Sequence, residues 1–327
     1  MNYLRTLLQI SAAIVAFLLG TGCGRSESSG EAGENGSSRI TVGFSQIGAE
    51  SAWRTAETES IRFEAKTRGI VLKFSDARGD QMNQIAALRT FIAQDVDAII
   101  LAPIVETGWE PILREVKAAG IPVILVDRGV DVSDESLYVT LIASDFVEEG
   151  RMAGQWLAER TGGTANIVEL TGTTGSAPAN DRAAGFREAI AGHPGMQIIH
   201  SQTGDFERSM GKQVMEAILK SERAGIDAVY AHNDDMALGA VKAIEEEGLK
   251  PGEDILIVSI DSVRDAFVAM TEGKLNATVE CNPLLGPQAF DAVEAALRGE
   301  SLPKWIKVED RLFEQMDAAE ILPTRKY

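Results

Sequence analysis

The chain has 327 residues, of which 45% are hydrophobic and 24% charged, values typical of a folded globular protein. Its formal net charge is −18, with 49 acidic against 31 basic residues. This argues against a nucleic-acid partner, because phosphate binding needs clustered Lys and Arg. The two Cys and three His residues lack metal-ligand spacing, so the sequence predicts neither a metal nor another cofactor.

The first forty residues have the order of an export signal followed by a tether. A basic start precedes an apolar run at 7–19, which is shorter than the about 20 residues that a membrane span needs. Residues 19–23 are LGTGC, which resembles the lipobox of bacterial lipoproteins, where the Cys becomes the lipidated first residue. We predict a signal peptide at 1–22, a lipid anchor on Cys23 and a flexible tether over 23–38.

The region that follows alternates short apolar runs with helical patterns. Roughly 300 residues remain after the leader, too many for one hydrophobic core, which predicts two lobes. The first predicted strands are 40–45, 70–75, 98–102 and 122–126, and the helices between them are 53–67, 82–94 and 109–119. This alternation predicts an α/β fold with a doubly wound parallel sheet.

The same alternation restarts after an extended crossing segment predicted at 138–143. The second set of predicted strands is 165–170, 197–203, 228–231 and 256–260, with helices at 146–159, 179–190, 210–220 and 234–247. A strand at 277–281, a helix at 285–297 and an extended stretch at 305–313 follow. Gly69, Gly120 and Gly248 are expected to end helices. The chain therefore contains two α/β lobes of similar size and passes between them more than once.

Polar and aromatic side chains follow six of the predicted strands. In open α/β sheets, ligands bind at the carboxyl ends of the strands. The candidate ligand-binding residues are Glu50, Trp53, Arg54, Asp127, Arg128, Arg182, Phe206, Asn233 and Asp261. Carboxylates, amides and guanidinium groups hydrogen-bond hydroxyls, and aromatic rings stack on sugar rings, so the set suits a sugar.

Each candidate also has an ordinary structural interpretation. Asn233 is well placed to cap a helix, and Trp53 to pack in a core. Asp127 and its neighbour could form a surface ion pair, Arg182 could be exposed on its helix, and Asp261 could shape a turn. Their shared position at strand ends favours the binding site.

Other chemistries have weaker support. The glycine-containing loop at 172–175 has neither the dinucleotide spacing nor a phosphate-binding Lys, and we interpret it as a turn. No G-x-S-x-G motif occurs. A carboxylate pair for glycoside hydrolysis stays open, although nothing marks one.

Three segments together carry a resemblance to a known family. Residues 43–54 are GFSQIGAESAWR, residues 107–111 are TGWEP, and residues 126–128 are VDR. They resemble the periplasmic sugar-binding proteins of ABC importers, the ribose- and galactose-binding type, and among them most closely the galactofuranose binders. The resemblance spans residues 39–315.

The resemblance implies a type I fold whose two lobes are joined by three crossings, near Ser144, Cys281 and Val308. It implies a first lobe of 39–144 with 282–308 and a second of 145–281 with 309–327. Asp127 and Arg128 would hold hydroxyls and the ring oxygen, Arg182 would oppose them, and Trp53 and Phe206 would form the walls. Cys281 replaces a polar residue of ribose binders, which disfavours ribose.

The expected function is therefore that of a non-catalytic, monomeric receptor. It would capture a monosaccharide, with galactofuranose preferred, and deliver it to the membrane subunits of an ABC permease. The alternatives are another pentose or hexose as ligand, a sugar-sensing adaptor for a chemoreceptor or sensor kinase, and a lipid-anchored glycosidase.

Overall fold

The computed structural model describes residues 39–222 and 225–327. The predicted signal peptide, Cys23 and the tether lie outside the described residues. Within the described ranges, no helix combines the length and the apolar character that a membrane crossing requires.

The first lobe is built on a six-stranded parallel sheet. Its N-terminal elements are β1 (Thr41–Gln46), α1 (Ala52–Thr67), β2 (Val71–Asp76), α2 (Gln81–Ala93), β3 (Ala98–Leu101), α3 (Glu110–Ala118), β4 (Val123–Val126) and β5 (Thr140–Ala143). Every residue of β3 and β4 is buried, as expected for apolar strands covered on both faces.

The second lobe repeats the architecture. Its elements are α4 (Phe146–Thr161), β6 (Thr164–Thr171), α5 (Ala177–Ile190), β7 (Gly195–Thr203), α6 (Arg208–Glu222), β8 (Ala228–Ala231), α7 (Asp234–Glu246), β9 (Leu256–Asp261), α8 (Arg264–Thr271) and β10 (Ala277–Glu280). A separate core cluster lies between this sheet and its helices.

The C-terminal elements are divided between the two lobes, the first two in the first lobe and the last two in the second. They are α9 (Gly286–Leu297), β11 (Trp305–Lys307), β12 (Leu312–Glu314) and α10 (Ala318–Ile321). The strand orders are β11-β5-β4-β3-β1-β2 and β12-β10-β9-β8-β6-β7, and β12 is antiparallel to its neighbour β10. The chain thus passes between the sheets three times, and the predicted fold of two lobes with a three-segment connection is confirmed.

Most predicted elements agree with the structure within two residues. Gly69, Gly120 and Gly248 have φ angles of 69°, 75° and 74°, the left-handed conformation that ends a helix. The predicted crossing segment at 138–143 was wrong, because Thr140–Ala143 forms β5 between β4 and β11. The chain crosses to the second lobe only after this strand.

Helices α4 and α5 approach each other unusually closely through two glycines. A Cβ on Gly150 would lie 2.1 Å from the Arg182 carbonyl oxygen, and one on Gly185 would lie 1.9 Å from the Val147 carbonyl oxygen. No side chain fits at either position. The close approach brings Glu149, beside Gly150, against the side chain of Arg182.

Candidate functional site

All nine predicted site residues line one cavity between the two lobes. The cavity volume among them is about 20 Å³, well below that of ordinary ligand pockets, so little free space remains among these side chains. Three further residues, Ser51, Pro178 and Cys281, complete its walls.

The lobes contact each other directly around this cavity. The backbone N–H of Ala52 donates to Asp235 Oδ2 at 2.8 Å, and the Asn180 side-chain amide donates to Glu106 Oε2 at 2.6 Å. Each hydrogen bond joins one lobe to the other. The structure therefore has its lobes closed over the cavity.

Arg54 is the centre of a buried charge cluster on the first-lobe side. Helix α1 begins after the N-cap Ser51, and its spacing brings Arg54 within 3.0 Å of Glu50 and 2.5 Å of Glu57. Asp127, beyond the end of β4, lies 2.6 Å away. Burial alone would lower the pKa of Arg54, but these carboxylates outweigh it and raise that pKa well above its ordinary value. Arg54 therefore stays charged.

The positive charge of Arg128 is less completely compensated by carboxylates than that of Arg54. Its Nη1 donates to the Ile104 carbonyl at 2.9 Å, and its Nε lies 3.5 Å from Asp127 Oδ2, too far for a hydrogen bond. Burial, with repulsion from Arg54, lowers the pKa of Arg128 to about 10, so the group is still a cation at neutral pH. Its Nε and Glu50 Oε2 are buried without a hydrogen-bond partner. These two atoms are free to bind a polar ligand.

Arg182 holds the second-lobe side of the cavity. It donates from Nε to Glu149 Oε2 at 2.7 Å and from Nη1 to the His232 carbonyl at 2.7 Å, and Asp261 lies 3.7 Å away. Burial raises the pKa of Asp261 well above its ordinary value. Arg182 is only 3% exposed, so the interpretation as an exposed helix residue was wrong.

Two aromatic side chains form apolar walls. Trp53 is buried and donates its indole N–H to the Cys281 carbonyl at 2.6 Å, which links α1 to the second crossing. Phe206 lies with the Arg128 and Arg182 guanidinium carbons 5.2 Å and 6.0 Å from its ring centre. Both arginines therefore face an aromatic surface of the cavity.

Asn233 combines the two roles considered for it. Its Oδ1 accepts from the Met236 backbone N–H at 3.0 Å, which confirms the helix-cap interpretation. Its Nδ2 donates to the Phe206 carbonyl at 3.1 Å, and the residue also lines the cavity. Much of its hydrogen-bonding capacity is therefore used within the protein.

Sequence reasoning missed the carboxylates behind the arginines. Glu57 follows Arg54 by three residues on one helix, a spacing that could have indicated the pair. Glu149 reaches Arg182 only through the packing of α4 on α5, so no local signal was available. Among the described residues, no group of three or more potential ligands is placed to hold a metal ion.

The comparison with known families decides what kind of protein carries this cavity. The family described as periplasmic binding protein domain matches residues 42–301, which is most of the chain. The chain belongs to this family. Membership implies a location outside the cytoplasm, and the resemblance seen in the sequence is confirmed.

Similar proteins share both sequence and fold with this periplasmic binding protein. The galactofuranose-binding protein YtfQ of Escherichia coli K12 is 53% identical over 81% of this chain and 84% of its own. The arabinose ABC transporter component of Shewanella sp. ANA-3, solved with α- and β-L-arabinofuranose, is 56% identical with a TM-score of 0.86, covering 88% and 96% of the chains. A Mycobacterium smegmatis structure with β-D-fucofuranose is 53% identical with a TM-score of 0.86, covering 88% and 95%.

A partly buried carboxyl group of this binding protein, Asp310, lies in the third crossing and interacts with Ser144 in the first crossing and with Glu280 beside the second. Burial raises the pKa of Asp310 to about 8, and the charge of Glu149 adds to the increase. A hydrogen bond with the Ser144 side chain and the charge of Arg182 oppose it, while Glu280 raises it slightly. Asp310 Oδ1 has no partner. The folded protein therefore holds a proton on Asp310 at neutral pH.

Because of this proton, we predict that the free energy of unfolding depends on pH through Asp310, and that Asp310→Asn removes this dependence. Between about pH 4 and 8 the folded chain keeps a proton that the unfolded chain has lost, so stability falls as pH rises, by up to about 1.4 kcal/mol per unit. Above about pH 8 this contribution is fully lost. The free energy of unfolding should be measured with urea for both proteins from pH 4.5 to 9. The advantage of Asp310→Asn over the unchanged protein should increase up to about pH 8 and then stay constant.

Glu159→Gln, the same kind of change at an exposed position on α4, is the control. A difference between Asp310→Asn and the unchanged protein that stays constant across this pH range would contradict the prediction.

Proposed function

We propose that the chain is a sugar receptor that works outside the cytoplasm, encloses one furanose between its lobes and delivers it to an ABC permease. Three relatives of more than 50% identity are named or described with furanose sugars. The first two are described as binding proteins and not as enzymes, which disfavours the glycosidase alternative.

The observation that carries the proposal is a pair of unsatisfied polar atoms. Arg128 Nε and Glu50 Oε2 are a donor and an acceptor, both buried and without partners. Leaving such groups unpaired costs about 1–3 kcal/mol each, and ligand hydroxyls can recover that energy by accepting from one and donating to the other. Phe206 and Trp53 offer surfaces for the C–H face of the same ligand. A small polyol ring meets both requirements.

Galactofuranose is the proposed sugar, with arabinofuranose as the alternative. Both have a five-membered ring, and the names of the relatives include each of them. Asp127 and Arg128 would bind the ring oxygen and hydroxyls from one lobe, and Arg182 would oppose them from the other. We propose lobes of 39–144 with 282–308 and of 145–281 with 309–327, so that both contribute to the ligand.

Removing Arg128 should weaken sugar binding strongly. Hydrogen bonds to a charged group contribute about 1.5–3 kcal/mol, so Arg128→Ala should lose roughly tenfold or more in affinity. Calorimetric titration of the mature chain with galactose, arabinose, ribose, glucose and fructose measures this loss and identifies the preferred sugar. Free galactose is mostly pyranose, so its apparent affinity is reduced by the small furanose fraction.

Arg89→Ala is the matched control, since Arg89 is exposed and pairs with Glu115 away from the cavity. Tight binding of another sugar would replace galactofuranose but keep the receptor. No heat with any sugar would contradict the sugar proposal and favour an adaptor with a different ligand.

Ligand binding should shift the chain towards the closed arrangement described above. Sugar contacts from both lobes exist only when they are closed, so the ligand binds that state better and increases its population. Small-angle X-ray scattering should therefore give a smaller radius of gyration at saturating sugar than without it. An unchanged radius in a protein that demonstrably binds the sugar would contradict closure as the response.

We also propose that Cys23 carries a lipid that holds the monomeric receptor at a membrane. In the full-length chain expressed in bacteria, labelled palmitate should be incorporated, and Cys23→Ala should abolish the label. Cys281→Ala should keep it, because Cys281 is buried in the second crossing. A full-length chain without label would contradict the anchor.

A further inference from the structure

Gly172 touches the ring of Phe206, one of the two aromatic walls of the cavity. It follows β6 directly, and a Cβ built on it would lie 1.8 Å from Cζ and 2.2 Å from Cε2 of that ring. Its φ is outside the left-handed range, so other residues could adopt its backbone conformation. Glycine is therefore needed here because the Phe206 ring leaves no space for a side chain, and not because of the backbone conformation.

The backbones on both sides of this contact are tied together. Thr203 Oγ1 donates to the Gly172 carbonyl at 2.8 Å and accepts from the Asp205 N–H at 3.1 Å. Asn233 Nδ2 donates a hydrogen bond to the Phe206 carbonyl oxygen at 3.1 Å, and Phe206 has a φ of 63°. Neither backbone can withdraw easily, so a side chain on Gly172 must move the ring.

Phe206 lines the cavity, so a shift of its ring changes the shape of the cavity wall. Ordinary carbon–carbon contacts are about 3.5 Å, so an alanine at this position would displace the ring by roughly 1.7 Å. The Arg128 and Arg182 guanidinium carbons lie 5.2 Å and 6.0 Å from the ring centre, so their spacing from the ring would change with this shift. The cavity wall would change without the loss of any polar group.

We propose that Gly172 is a positioning residue that sets the size of sugar the cavity accepts, by seating the Phe206 ring clear of the ligand. This inference rests on the proposed function and extends it to discrimination between sugars. Galactofuranose carries a two-carbon exocyclic chain, and L-arabinofuranose carries one carbon on an equivalent ring. With the exocyclic chain directed at this wall of the cavity, the room for the second carbon depends on the position of the Phe206 ring.

The experiment measures the dissociation constants of D-galactose and L-arabinose for the unchanged protein and for Gly172→Ala. The ratio of the two constants is the readout, because each sugar's furanose fraction is the same for every variant and cancels. Affinity for galactose should fall about tenfold or more and affinity for arabinose by much less, as expected for a pocket that loses room for one carbon. Gly192→Ala is the control, since a Cβ there meets nothing within 4 Å.

Two further variants separate positioning from a general loss of structure. Phe206→Leu with residue 172 unchanged shortens this wall of the cavity, so it should shift the ratio in the opposite direction, in favour of galactose. The double variant that combines Gly172→Ala with Phe206→Leu has a shorter side chain at position 206. It should restore the ratio of dissociation constants found for the unchanged protein.

An unchanged ratio in both Gly172→Ala and Phe206→Leu would overturn the inference while leaving the receptor function standing. If Gly172→Ala does not fold, Phe206→Leu alone decides. If the unchanged protein binds neither sugar, the proposed function fails, and the inference fails with it.

Discussion

The centre of the molecule depends on keeping three arginine side chains charged where water hardly reaches them. Arg54, Arg128 and Arg182 are each 2–3% exposed. Removing such an ion from water costs several kcal/mol unless carboxylates compensate it. Asp127 and Glu149 supply that compensation from parts of the chain distant in sequence. Arg128 shares Asp127 with Arg54 and is the least compensated, which is why we propose that the ligand contributes most there.

The parts of the fold that the sequence predicted well are those with a local signal. Strands β3 and β4 are continuous apolar runs, and Gly69 and Gly120 occupy left-handed positions that end helices. Strand β5 has only four residues and is paired with β11, more than 160 residues later in the chain. No local pattern contains that pairing, and the segment was therefore mistaken for a crossing.

The same distinction applies to the site. The structure places the nine candidates around one cavity, as expected because carboxyl ends of parallel strands meet at one edge of a sheet and strand prediction therefore also predicts proximity. The groups that hold them could not all be found in this way. Glu149 reaches Arg182 only because Gly150 lets two helices touch, and the Cys281 carbonyl accepts from Trp53 only where a crossing passes α1. These contacts depend on tertiary packing.

The hydrogen bond from Trp53 to the Cys281 carbonyl also has an optical consequence. Of the four tryptophans, Trp53 alone lines the cavity, while Trp109 and Trp156 are buried elsewhere and Trp305 lies in β11. Indole emission responds to the polarity of its surroundings and to its hydrogen bonds. Opening the lobes would change the polarity around this ring, so the protein carries its own fluorescent reporter of lobe movement and needs no attached dye.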